Sequence, residues 1–458
     1  MSASRHRWSP ALVAVAALIV CLDTPIAAHA AICPMAWSPV QVVRASDGDL
    51  NVRPQVGVDA AGWAMAVWTE LDAGATEHIL FARRPPKGVW SAPQEVFQST
   101  GLVPVSSELD LAVGAGGHAL LTWRRQGFAD DVPWVTSFDP NAGWAAPVAL
   151  RVPTEKGPSP ASVAVNARGE GVVSWLASGG VYTRIFQPLA GWSAIHRGRD
   201  WKVGIGPTWG TRVAMNDAGQ AVVAWETLRP RAMRFDPTTG WQAPETLLDH
   251  GRVNQDRVPE VTIAPTGDAF VTWADEEHMG ANLAVFVSHF QPAKGWAPAQ
   301  RLSGPNYHAW SPDVATNAQG QALVAWSVER PRPQTRLEAT LYRPGTGWGP
   351  VIAVSEIGGS FSQVEADLSD IGIATITSRH WDDDLSMILM SYTMQRKTHL
   401  IEVTRHEGMN PNHDVAGQGN GGQVLSGVDW SGQENALGRR GTLQARVREH
   451  RCDAATGR

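Results

Sequence analysis

Apolar and polar positions fall into blocks along this chain, and the blocks recur. "NAQGQALVAW" (Asn317–Trp326) reads as polar turn, glycine, apolar run, tryptophan, and "NDAGQAVVAW" (Asn216–Trp225) and "NARGEGVVSW" (Asn166–Trp175) nearly repeat it. Aligned on the glycine, a tryptophan follows six residues later at Trp68, Trp123, Trp175, Trp225, Trp273 and Trp326, at spacings of 55, 52, 50, 48 and 53. Six residues before the glycine stands an aliphatic anchor: Val56, Leu111, Val163, Val213, Val261 and Val314. Such a period marks a repeat architecture, in which each unit needs its neighbours to cover its apolar face.

A second phrase lies between these, as in "GWQAPETL" at Gly240 and "GWGPVIAVS" at Gly347. In the sixth unit the pattern predicts four strands: "PDVATN", "QALVAWSV", "RLEATLYRP" and "GWGPVIAVS", here A to D. Gly-containing turns separate A from B and C from D. No run has the 3.6-residue period of a helix. Strand B is apolar at nearly every position, which implies burial on both faces. The expectation is all-β: a single β-propeller of four-stranded blades. Eight blades are expected, with seven as the alternative, because the units at Val364–Ser378 and Asp414–Val428 follow the register more loosely. The last unit lacks a D strand, and "AWSPVQVV" (Ala36–Val43) is expected to supply it and close the ring.

The termini add a compartment. Arg5 and Arg7 precede the apolar run Ala11–Leu22, and "AHA" (Ala28–Ala30) offers small residues for cleavage. Residues 1–30 therefore read as a signal peptide and 31–458 as the propeller domain of a secreted, extracellular or periplasmic protein. The run is too short to span a membrane, so no span is expected after cleavage. Export leaves Cys33 and Cys452 at opposite ends of the mature chain, and in an oxidising compartment the pair is expected to form a disulfide across the ring closure. A net charge of −6 provides no basic surface for nucleic acid. A monomer is expected.

Composition then sorts the tryptophans. The chain has 21 Trp against 4 Tyr. The six at the ends of strand B, and Trp37, Trp90, Trp144, Trp192, Trp241, Trp296 and Trp348 at the start of strand D, recur in register and read as packing. Trp63 sits in an A–B turn. Trp134, Trp201, Trp209, Trp310, Trp381 and Trp430 lie off the repeat, in or beside D–A and B–C connections, where binding residues on a rigid scaffold collect. Trp201, Trp209, Trp310 and Trp381, with Tyr307, are candidate ligand residues: rings suited to stack on sugars beside Asp, Asn and Arg. The plainer reading is that such rings only plug loops.

One residue before each strand-A anchor stand Gln55, Asp110, Ser162, Arg212, Glu260, Asp313 and, in the seventh unit, Glu365. Asp110, Arg212, Glu260, Asp313 and Glu365 would make an acidic ring with one arginine at the channel mouth. Clustered carboxylates suit Ca2+ or acid–base work, although solvated polar residues at a wet channel would look the same. No cofactor is expected, Ca2+ being the one ion the pattern suits.

The repeat resembles that of secreted bacterial β-propeller proteins, sialidase-like and lectin-like in the broad sense, whose units read valine-alanine, polar turn, glycine, apolar run, tryptophan. The Ser-x-Asp-x-Gly-x-Thr-Trp turn of sialidase blades is absent, and Tyr307 is the one tyrosine in a mouth loop; Tyr182, Tyr342 and Tyr392 fall within strand C. The resemblance specifies a blade, not an activity. Three functions stand open: a non-catalytic propeller binding an extracellular glycan or protein through its D–A/B–C loop face, a glycoside hydrolase or lyase using mouth carboxylates, and a protein-interaction scaffold.

Overall fold

The computed structural model describes residues 35–37, 41–46, 55–72, 76–99, 109–125, 132–152, 158–178, 180–199, 210–226, 229–248, 258–276, 282–305, 307–329, 336–355, 360–370, 372, 374–381, 387–394, 402–407, 416–419, 428–435, 438–445 and 448–450. The chain divides into two compact units, and the larger, Trp37–Glu449, is the one described below. The expected signal peptide and both Cys33 and Cys452 lie outside the described residues.

Every element among the described residues is a strand. Seven sheets of four or five strands follow one another. They comprise residues 55–99, 110–149, 162–199, 211–246, 260–301, 308–353 and 360–407, here the first to seventh sheets. The fifth shows the plan: an inner strand Glu260–Ile263, a second Ala269–Glu276, a third Leu283–Gln291, and an outer edge of Gly295–Trp296 and Gln300–Arg301, all antiparallel. Inner strands of successive sheets touch in chain order, from Gln55–Val58 against Asp110–Val113 to His308–Thr316 against Ser360–Leu368. This is the arrangement of propeller blades.

Burial of the second strand on both faces holds. In Gly171–Ala177 every residue is buried, and in Ala322–Glu329 all but the last. The six recurring tryptophans are between 0% and 2% exposed. Trp225 packs with Ala164, Val172 and Leu176 of the preceding sheet. Trp273 packs with Val222 and Ala224, and Trp326 with Phe270 and Val285. Each indole fills the seam to the sheet before it, burying about 200 Å2 of largely apolar surface.

Strand D differs from expectation: it is broken. In the second to sixth sheets the Gly-Trp pair forms a two-residue strand, and pairing resumes after a gap. Pro147, Pro244, Pro298 and Pro350 occupy four of these gaps. Proline has no N–H to donate, and an edge strand tolerates that loss. The third sheet makes the same break over residues 193–195 with no proline there. The Gly-Trp ring clips onto an aromatic ending the third strand: Trp144 on Phe138 at 5.2 Å, Trp241 on Phe235 at 5.2 Å, Trp348 on Tyr342 at 5.4 Å between centroids.

The last unit also differs. Gln41–Ser46 pairs antiparallel with Gly438–Ala445, which pairs with Val428–Asn435, so the N-terminal segment does lie on the C-terminal one. Ala416–Gly419, however, runs parallel to Gln55–Val58 of the first sheet instead of opening its own blade. The sequence there, "AGQGNGG", has no aliphatic anchor to fix which face is buried.

At the A–B turns the repeated asparagine joins neighbours. Asn216 Nδ2 donates to the Ala264 carbonyl in the next turn at 3.1 Å, while its Oδ1 accepts the Gln220 N–H at 3.0 Å. Asn166 reaches the Asn216 carbonyl at 3.3 Å and Asn317 the Ser369 carbonyl at 3.2 Å. The turn glycine, φ +81° at Gly219, adopts a backbone closed to other residues.

Candidate functional site

At the other end of the inner strands the repeat changes character. Asp110, Arg212, Glu260 and Asp313 occupy one register position in the second, fourth, fifth and sixth sheets, paired with Thr122, Ala224, Thr272 and Ala325. The structure brings these four together. Arg212 Nε donates to Glu260 Oε1 at 3.2 Å and Oε2 at 3.1 Å across the seam between the fourth and fifth sheets. Its charge also acts on Asp110 and Asp313. Asp110 Oδ2 accepts the Val163 N–H of the next inner strand at 2.9 Å, and Asp313 Oδ2 accepts the Ala366 N–H at 2.6 Å.

These side chains meet water yet are enclosed. Arg212 is 43% exposed and Glu260 28%, although protein surrounds both. The recess therefore combines solvent access with a low-dielectric wall. Burial raises the Asp110 and Glu260 carboxyls, against the pull of Arg212. Burial, then the neighbouring Glu260, pushes Asp313 up to about 7. The Glu260 charge holds the Arg212 guanidinium protonated. Three carboxyls and one cation so close do not all ionise together, and one retained proton is the expected outcome.

Asp313 also follows an irregularity. The register slips between Trp310 and Asp313, and Ser311 has φ +49°. A matching slip lies between Ser362 and Glu365 in the seventh sheet. N-terminal to each slip the inner strand extends through His308–Trp310 and Ser360–Ser362, where the inner strands of the second to fifth sheets have not yet begun. Bulges re-aim side chains and recur beside functional sites.

The other candidates divide. Glu365 holds the matching inner position and is half-buried, but is not among the charges acting on Arg212. Trp310 lies on the extended inner strand, half-buried. Tyr307 packs against the core of the fifth and sixth sheets. Trp381 ends the strand Ala374–Trp381, and only its backbone is described. Trp201 and Trp209 lie outside the described residues. Trp134 lies inside the third strand Val132–Asp139 with its ring 6.1 Å from Phe97, a packing residue after all. Among the described residues no group of three or more His, Cys, Asp and Glu side chains is placed to hold a metal ion. The described residues contain no helix long and apolar enough to cross a membrane.

The repeat also hid a residue. Asp275 is the penultimate residue of the second strand of the fifth sheet. It is 1% exposed, and no side chain hydrogen-bonds either carboxylate oxygen. It stands two residues after Trp273, where the other units place Glu70, Arg125, Ala177, Thr227 and Val328. A position that varies so widely gave no signal that would single Asp275 out.

No family model matches the chain, and no curated protein matches it. Among solved structures it is similar to a lectin from Burkholderia pseudomallei at 13% identity and TM-score 0.46, covering 74% of this chain and 95% of that one. It is similar to an ulvan lyase at 12% identity and TM-score 0.41, covering 65% and 83%. It is likewise similar to a Hadza microbial sialidase at 12% identity and TM-score 0.36, covering 72% and 63%. Likeness at this level assigns none of those activities to this chain.

Proposed function

We propose that this chain is a secreted, eight-bladed propeller that binds a glycan at the end where its inner strands begin. One observation carries the reading: Asp110, Arg212, Glu260 and Asp313, from four sheets, share one water-reachable but enclosed recess. Carboxylates accept hydrogen bonds from sugar hydroxyls and the guanidinium donates them. Trp310 beside Asp313, and Trp201, Trp209 and Trp381 of the flanking segments, would add stacking faces. Removal of residues 1–30 and a Cys33–Cys452 disulfide belong to the same proposal. A glycan array probed with the mature chain and with Arg212→Ala tests it. Binding that Arg212→Ala weakens at least tenfold supports the reading; a blank array, or binding indifferent to Arg212, rejects it.

A second reading has its own observation. A carboxyl titrating near 7, as at Asp313, is poised for general acid–base work on a glycosidic bond. Release of reducing or unsaturated ends from polysaccharides, abolished in Asp313→Asn, would favour the hydrolase or lyase over the binding protein.

A further inference from the structure

Asp275 is out of keeping with its surroundings. The face it shares with Trp273 is turned to the fourth sheet, in a cluster of Val222, Ala224, Ala232, Leu247 and Leu248. Its side chain is covered, and no side chain hydrogen-bonds either oxygen; the one donor acting on it is the backbone N–H of Glu276, its own neighbour. The charged groups that act on it are Glu276 on its own strand, which repels, and Arg229 before the third strand of the fourth sheet, which attracts weakly. Burial outweighs that single backbone donor: an ionised carboxylate with no side-chain partner is unfavourable in such a place, whereas a protonated one is tolerated. The same seam carries the Arg212–Glu260 bridge.

We propose that Asp275 is a proton-dependent lock on the seam between the fourth and fifth sheets, closing it in mild acid and loosening it at neutral and alkaline pH. The sign follows from the burial. Desolvation raises the Asp275 carboxyl from 3.8 to about 6 in the folded protein. Below pH 4 it is neutral in both folded and unfolded chains and has no effect. Between about 4 and 6 the folded state begins to lose relative stability, and above 6 the loss is complete. A shift of about two units corresponds to roughly a 100-fold change in the unfolding equilibrium, reduced to nearer tenfold if water reaches the seam. The lock does not depend on the glycan reading, since it concerns the seam whether or not a ligand binds.

The test compares the whole chain with Asp275→Asn and Asp275→Val, the second placing an aliphatic side chain as at Val328. Thermal unfolding and hydrogen exchange of the Ala269–Glu276 amides are followed from pH 5 to pH 8. The expected result is a variant with higher Tm and slower exchange than wild type at pH 8, the difference shrinking at pH 5. Other titrating carboxyls cancel in this difference. A difference that is constant with pH, or variants less stable than wild type at pH 8, overturns the proposal. If Asp275→Asn does not fold, Asp275→Val decides it by the same criterion.

Discussion

At the turn end of the sheets, Asp236 accepts hydrogen bonds from Thr238 and Gln220 and its carboxyl is lowered to about 2, while at the opening end Asp313 is raised to about 7. The contrast extends beyond this pair. Asp139, at a C–D turn, is lowered by the Asn141 and Ala142 amides. Glu170, at an A–B turn, is partly buried yet held low by Arg168 and Asn166. Asp110 and Glu260 at the opening end are raised by burial. The turn end thus supplies these three carboxylates with donors; Asp367, beside the A–B turn of the seventh sheet, is the exception, raised to about 6 by burial. The opening end gathers acids faster than it supplies cations, at a cost the fold itself does not require. Residues that repeat from blade to blade hold the molecule together, and the residues that vary at a constant register mark where a function can reside.

The comparison can be broken in several ways. The largest effect is expected in the body that both ends share: Trp225→Ala should cost about 3–5 kcal/mol by urea unfolding. A loss below 1 kcal/mol would mean that the seams do not couple the blades. Next comes the bridge. Arg212→Ala leaves the Glu260 carboxyl without its cation and should cost about 1–2 kcal/mol, a value between exposed and buried pairs because both groups meet water. Adding Glu260→Gln should recover most of it, and a double variant as weak as the single one contradicts the pairing. The smallest effect sharpens the contrast itself. Asp313, raised when folded, costs stability as pH rises from about 4 to 7, so Asp313→Asn should raise Tm at pH 8 by about 2–4 °C and change little at pH 4. Asp236, lowered when folded, adds stability above pH 4 that is lost as pH falls towards 2, so Asp236→Asn should lower Tm at pH 7. Equal signs for the two variants at neutral pH would end the distinction between the ends.

Much of the scaffold was legible in the chain. The glycine-plus-six register located the second strands and their tryptophans, because a strand buried on both faces must be apolar throughout and a seam of fixed width selects one large ring. The A–B asparagines were visible as turn residues, but their reach to the next turn was not, since that bond spans 48 residues between Asn216 and Ala264. The break in strand D was foreshadowed by its prolines, and its recurrence in the third sheet, which has no proline there, was not.

The candidate site was legible as positions and not as chemistry. Alignment put Asp110, Arg212, Glu260, Asp313 and Glu365 at one register, yet which of them share a recess depends on distances between sheets. Trp134 and Tyr307 looked free because they fall off the repeat, and packing against Phe97 and the sixth-sheet core absorbs them. Asp275 was hidden among polar neighbours in "ADEEH", since a sequence shows that an acid is present but not that it is buried with no side-chain hydrogen bond.

By itself, then, the sequence determined the strand pattern, the repeat and the seam tryptophans. Each depends on local periodicity and on burial that every unit restates. Only the tertiary structure decided which carboxyls lose water, which gain a donor and which are left alone. Those outcomes depend on atoms about fifty residues apart in the chain and on the dielectric that the assembled sheets create around them.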